Sequence, residues 1–154
     1  MKKFLLVAAL VITTIFAANA QGGNGYRNSI GIRGAYGAEV SYQRYLAPQS
    51  RIEGTMGINR YGFSVEGVYQ WMFDFPASTA GIWQWYAGVG VGTGVWSNKD
   101  FDTGICLGVL GQIGIEYTFN IPLMLSLDYR PGIYFVPATG FDWTGFALGI
   151  RYCF

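Results

Sequence analysis

The stretch 145–154, GFALGIRYCF, decides how the rest of the chain is read. Phe146, Leu148, Ile150, Tyr152 and Phe154 are large and apolar, and Gly145, Ala147, Gly149, Arg151 and Cys153 fall between them. Strict alternation has the period of a β-strand, whose side chains point to opposite faces in turn. Chain termini are commonly polar and frayed. A terminus that alternates to its last residue and ends on phenylalanine describes a strand with one wholly apolar face.

The same period of two recurs upstream, giving eight segments in all. Ile30 and Ile32 alternate with Ser29, Gly31 and Arg33, and Ala38, Val40 and Tyr42 with Glu39, Ser41 and Gln43. Ile52, Met56 and Ile58 face away from Arg51, Glu53 and Thr55, and Phe63, Val65, Tyr69, Trp71 and Phe73 away from Ser64, Glu66 and Gln70. In the fifth segment Trp83, Trp85, Val89, Val91 and Val95 oppose Gln84, Tyr86 and the glycines 88, 90, 92 and 94. The sixth sets Ile105, Leu107, Val109, Ile113, Ile115 and Tyr117 against Cys106, Gly108, Gln112, Gly114 and Glu116, and the seventh sets Leu123, Leu125, Leu127 and Tyr129 against Met124, Ser126, Asp128 and Arg130. The first two segments are the shortest. Turn-forming residues separate the segments, with longer connections predicted at Ser97 to Gly104 and at Val136 to Thr144. Pro131 cannot donate to a ladder, so a bulge or the upper rim is expected there.

Residues 1–20 carry the pattern of an export signal: Lys2 and Lys3, an apolar run from Phe4 to Ala17, and the small-residue site Ala18-Asn19-Ala20. The remaining residues 21–154 form one domain. Beyond the signal, Lys99 and seven arginines face nine acidic residues. That near balance argues against a nucleic-acid partner, which would want a basic patch.

Charge placement separates the two faces. Arg33, Glu39, Arg51, Glu53, Glu66, Glu116, Asp128, Arg130 and Arg151 share the parity of Gly, Ser and Gln, whereas Arg44, near a strand end, is the exception on the apolar parity. A closed barrel in lipid accounts for this. Inside a bilayer every backbone N–H and C=O must be paired, so a spanning sheet closes on itself. Spanning strands take ~9–11 residues and an even strand count is usual. The expected fold is therefore all-β: an eight-stranded antiparallel up-and-down transmembrane β-barrel. A slip of one residue would turn nine charges toward hydrocarbon, at ~2–4 kcal/mol for each arginine near the midplane, so the register is strongly specified.

With both termini on the periplasmic side, Tyr42, Trp71, Phe73, Trp83, Trp85, Tyr117, Phe119, Tyr152 and Phe154 gather toward that end of the lipid face, as a membrane-interface girdle does. Tyr36 and Phe63 are the clearest candidates at the opposite interface. Within the lumen, Arg33, Glu39, Glu66, Asp128 and Arg130 are expected in the upper half and Arg51, Glu53, Glu116 and Arg151 in the lower, packed as an ion-pair network. The inward glycines of the fifth segment leave space for arginine stems or, alternatively, open a narrow water path. Cys106 and Cys153 are expected near opposite ends of the lumen, too far apart for a disulfide.

With these residues placed, the chain resembles the small eight-stranded outer-membrane barrels of the OmpA/OmpX type over Ser29 to Phe154. The ending is the most specific part of the likeness: Leu148, Ile150, Tyr152 and Phe154 match the terminal signal that the barrel-insertion machinery of the outer membrane reads. GIEYTFNIPLMLSLDYRPGIYF, at 114–135, is similar to a late hairpin of barrels from Gram-negative bacteria. The resemblance implies residence in the cell outer membrane, with its lipid and the insertion machinery as partners and no cofactor or metal. Barrel enzymes of that membrane resemble one another in using a catalytic histidine, and this chain has no His. A non-enzymatic structural or surface-interaction role is the leading expectation. A narrow porin-like channel or small-solute transporter is the alternative, and an enzyme using paired carboxylates such as Glu66 and Asp128 is a lesser one. Trp96, Phe101, Phe141 and Trp143 lie on the two long connections, as outward contacts or as caps on the rim.

Overall fold

A computed structural model describes residues 25–35, 37–59, 62–76, 81–98, 101–136 and 139–154. The predicted signal segment, Tyr36 and the loop charges Lys99 and Asp100 lie outside the described residues, as do the side chains of Trp96 and Phe101.

Ten strands are assigned among the described residues: β1 (Asn28–Gly34), β2 (Gly37–Ala47), β3 (Ser50–Asn59), β4 (Gly62–Asp74), β5 (Gly81–Asn98), β6 (Phe101–Phe119), β7 (Leu123–Tyr129), β8 (Gly132–Val136), β9 (Gly140–Asp142) and β10 (Phe146–Cys153). All neighbours are antiparallel, in the order β5-β4-β3-β2-β1-β10-β7-β6, and β5 pairs with β6 to close the ring. Two of the eight staves are broken in the middle. β7 and β8 together make the seventh, both pairing with β6, while β9 and β10 make the eighth. The fold is thus an eight-stranded antiparallel closed barrel.

Register fixes its dimensions. Following ladder partners around the ring, Tyr117 on β6 leads through Leu125, Ile150, Ile32, Val40, Met56, Val65 and Thr93 back to β6 at Leu107, ten residues from the start. With a rise of ~3.3 Å per residue and strands ~4.8 Å apart, eight strands and that stagger give a tilt of ~40° and a radius of ~8 Å.

Several sequence-based boundaries are corrected. The second strand is not short: it runs for 11 residues and carries Tyr45 into the lumen. The connection at 97–104 is mostly strand, because the β5–β6 ladder continues to Asn98↔Phe101 across one irregularity. The connection at 136–144 contributes the short strand β9, which folds back on β8 with Gly132↔Asp142, Ile133↔Phe141 and Tyr134↔Gly140 paired. Charged and glycine residues marked both stretches as loops, but a neighbouring edge with unspent N–H and C=O groups extended the pairing. Pro131 lies between β7 and β8, yet the register against β6 is unchanged across it: Tyr129↔Ile113 below and Gly132↔Leu110 above. Its carbonyl still accepts from Gly111 N at 2.9 Å. The bulge sits instead on the facing strand, at 143–145, and a second irregularity lies opposite Leu107 and Gly108. At the first, Gly145 brings its backbone against the Arg130 carbonyl, so close that a Cβ would collide with it. That is why glycine closes the bulge.

The usual distribution of polarity is inverted. The outer face is apolar, with Ile32, Val91 and Leu148 each more than 60 % exposed (61 %, 65 % and 68 %). The buried interior is rich in Arg, Glu, Gln, Ser and Thr, and its few buried apolar side chains include Val68, Met72, Leu110 and Met124. No helix among the described residues is long and apolar enough to cross a membrane.

Candidate functional site

Among the described residues, most of the buried polar and charged side chains lie in the lumen. Strand alternation delivers Arg33, Glu39, Arg51, Glu53, Glu66, Glu116, Asp128, Arg130 and Arg151 to it, all buried or half-buried. Their contacts form three layers.

The layer nearest the C terminus centres on Arg51. Its Nη1 and Nη2 donate to both oxygens of Glu116 at 2.8 and 2.5 Å, the bidentate geometry that suits a planar guanidinium. Its Nε donates to Gln70 Oε1. The rings of Tyr86 and Tyr45 lie 4.9 and 5.7 Å from the guanidinium carbon, within cation–π range. Tyr45, Met72 and Tyr86 pack together and floor the lumen. The Tyr45 hydroxyl donates to Gln84 at 3.3 Å, and Gln84 donates to Asp74 at 2.6 Å. Tyr86 fits because Gly114, its partner on β6, has no side chain: a Cβ there would come within 2.5 Å of the ring.

Glu53 holds the middle layer. One carboxylate oxygen accepts from Arg151 Nη2 at 2.8 Å and from Ser41 Oγ at 2.7 Å. The other accepts from Arg130 Nη2 at 3.2 Å and Gln70 Nε2 at 2.6 Å, while Arg33 Nε stands 4.0 Å from the first oxygen. Arg151 is fixed further by donating to Ser41 at 3.0 Å and Ser126 at 2.5 Å. Sequence placed Glu53 in the lower half. The structure has it joining Arg151 below to Arg33 and Arg130 above, because strands tilted by ~40° bring residues of quite different strand positions to one level.

In the upper layer Arg33 pairs with Glu39 and Asp128, and Arg130 pairs with Glu66 at 2.6 Å and donates to Thr55 at 3.1 Å. Above them a cavity of about 100 Å³ opens toward the β5–β6 and β8–β9 hairpins, lined among others by Arg33, Glu39, Glu66, Arg130, Tyr134 and Cys106. A polar cavity of that size has room for water molecules. The glycines of β5 do not make room for arginine stems. A Cβ at Gly90 would meet Val68 at 2.8 Å and one at Gly92 would meet Leu110 at 3.2 Å, so apolar side chains occupy that space.

Sequence reasoning placed Gln70 on the inward face, where it is buried, but missed Tyr45, Val68, Leu110 and Tyr134 as lumen members. Each of these four shares the parity of a neighbouring inward charge, which was the available signal. Both cysteines are unpaired thiols, with Cys106 lining the cavity and Cys153 on β10 near its end. Among the described residues no group of His, Cys, Asp and Glu could hold a metal ion.

On the outer face, Leu148, Ile150, Tyr152 and Phe154 are all exposed. The aromatic residues at the end carrying the C terminus form a belt. Phe73 stacks on Trp85 with ring centroids 4.2 Å apart, Trp83 meets Tyr117 at 4.8 Å, and Tyr117 meets Phe119 at 4.7 Å. Trp71 packs edge-on to Tyr69 at 5.1 Å, and the Tyr42 hydroxyl donates to Asn28 at 3.0 Å. At the opposite end Phe63 is exposed, and Phe141 and Trp143 lie against each other at 3.8 Å beside the bulge. No family model, no curated protein and no solved structure matches the chain.

Proposed function

We propose that this chain is an integral β-barrel of the bacterial outer membrane, with a side-chain-filled lumen and a structural or surface-interaction role. The observation that carries the reading is the inversion of polarity. A soluble monomer rarely leaves more than a few hundred Å² of contiguous apolar surface in water, whereas this barrel exposes apolar side chains around its outer face and buries its charges. The aromatic belt suits the interface between hydrocarbon and headgroups. The export signal and the terminal Leu148, Ile150, Tyr152 and Phe154 suit delivery to that membrane and reading by its insertion machinery.

The lumen supports a non-catalytic and non-conducting role. Its arginines are spent on carboxylates, and Tyr45, Met72 and Tyr86 fill the end opposite the cavity. The test is reconstitution of the chain lacking residues 1–20. It is expected to float with phospholipid vesicles, to resist alkaline extraction and to give no steady open level in planar bilayers. A folded monomer that stays dissolved without detergent overturns the membrane assignment. The mouth cavity is the observation that favours the second reading, a narrow channel or solute transporter, and a reproducible conductance level would establish that reading instead.

A further inference from the structure

Arg44 is the feature that neither the lumen nor the apolar face absorbs. Of the strand residues whose side chains are described, it alone carries a charge on the outward parity. It is nevertheless only 2 % exposed, and its Nη2 has no hydrogen-bond partner. The ion pairs among the described residues are made by Arg33, Arg51, Arg130 and Arg151. A buried guanidinium without an acceptor is costly, and an anion is what it lacks.

Its neighbours are donors too. Asn28 faces Arg44 across the β1–β2 ladder. Asn28 spends its backbone N–H and C=O on Phe154, both at 2.8 Å, so its pairing with Arg44 is of the non-hydrogen-bonded kind that brings side chains closest. Tyr42 donates its hydroxyl to Asn28 Oδ1 at 3.0 Å, which leaves Nδ2 as the donor end of that amide. Arg27, whose carbonyl accepts from Tyr45 N at 2.9 Å, adds a second cation at this rim, with Nε and Nη2 unpartnered. The level is also defined. Tyr42 and Tyr152 both pair with Ile30, and Arg44 lies one step further toward the end that carries the aromatic belt.

We propose that Arg44, with Asn28 Nδ2, binds a phosphate group, that of a phospholipid headgroup in the periplasmic leaflet. A phosphodiester offers two non-bridging oxygens, sharing one negative charge, to a planar pair of N–H donors. The inference rests on the membrane reading, since the belt is then the depth at which headgroup phosphates lie.

The test is native mass spectrometry of the folded chain released from bicelles holding equal amounts of phosphatidylglycerol and a monogalactosyl diacylglycerol of the same acyl chains. The wild type is expected to retain the phospholipid at least fivefold over the galactolipid. Arg44→Gln is expected to lose that preference, and Arg44→Lys, which keeps the charge without the fork, to fall between. Should Arg44→Gln not fold, the wild-type preference between the two lipids decides alone. Inorganic phosphate titrated at tens of millimolar separates the sources: no displacement supports the headgroup, whereas displacement of the retained lipid overturns the headgroup assignment in favour of free phosphate. Equal retention of both lipids by an inserted wild-type barrel, or an unchanged preference in Arg44→Gln, overturns the site alone. A chain that never enters bilayers overturns the membrane reading, and this site with it.

Discussion

Replacing Glu53 by glutamine asks whether the middle layer of the lumen behaves as a charge hub. Arg151 and Arg130 contact its carboxylate directly, Arg33 stands at 4.0 Å, and Ser41 and Gln70 donate to it as well. Its side chain is wholly buried, as is that of Arg151. Glu53→Gln keeps the volume but removes the negative charge, and it turns one acceptor into a donor that points at other donors. Losing one partner of a buried ion pair costs ~3–5 kcal/mol, because the remaining charge cannot return to water. Net stabilities are ~5–15 kcal/mol, so the folded-to-unfolded ratio should fall by roughly two to three and a half decades. Glu39 is the internal control. It is 18 % exposed at the mouth and pairs with Arg33, so Glu39→Gln should cost about 1 kcal/mol. Urea titrations of the chain in phospholipid vesicles, followed by tryptophan emission and by the mobility of unheated samples in electrophoresis, give both values. If Glu53→Gln lies within about 1 kcal/mol of wild type, or no lower than Glu39→Gln, the hub is not a hub and the arginines must be satisfied otherwise.

Three further outcomes are expected. Val89 faces outward near mid-height, and Val89→Arg should lower stability in vesicles by ~2–4 kcal/mol while Val89→Ala changes it little; equal midpoints would mean the face does not meet hydrocarbon. Gly145→Ala should cost ~1–3 kcal/mol through its clash with the Arg130 carbonyl, whereas Gly54→Ala, with nothing within 4 Å of the added methyl, should stay within ~0.5 kcal/mol; matching urea midpoints would remove the steric account of the bulge. A small charged thiol reagent should modify Cys106, which lines the cavity, before Cys153, and comparable rates measured by mass would show that the aromatic floor is open.

The closed all-β ring was legible in the sequence because strand alternation has only two phases and nine charges share one of them; a soluble sandwich could also sort its faces so, and it was the clustered aromatics and the terminal Phe154 that pointed to a closed barrel. Strand ends were less legible. Asn98 and Phe101 lie in a stretch rich in Lys, Asp and Gly, and only the neighbouring ladder shows that pairing continues through it. Pro131 pointed to the right place for an irregularity but not to the strand that bears it, since a missing donor says nothing about where the extra residue is accommodated. Height within the lumen was legible only in part. Counting along one strand places a residue on that strand, but Glu53 meets Arg33, Arg130 and Arg151 across the bore, and that conjunction depends on a stagger that emerges only when the ring closes. Arg44 was visible as an exception to parity, while its lack of an acceptor required the side chains around it.

The ten-residue stagger has a consequence for how such a chain can vary. Strand count and stagger set the bore between them, so no exchange of side chains widens the wall. Whatever distinguishes one such cylinder from another must come from the furniture inside it or from the height and chemistry of its crown. Here the contents are bolted together through shared carboxylates, and a change to one fitting disturbs several. The crown, by contrast, is carried by the β5–β6 and β8–β9 hairpins above those shared carboxylates, and it is the region where novelty can arise without dismantling the rest.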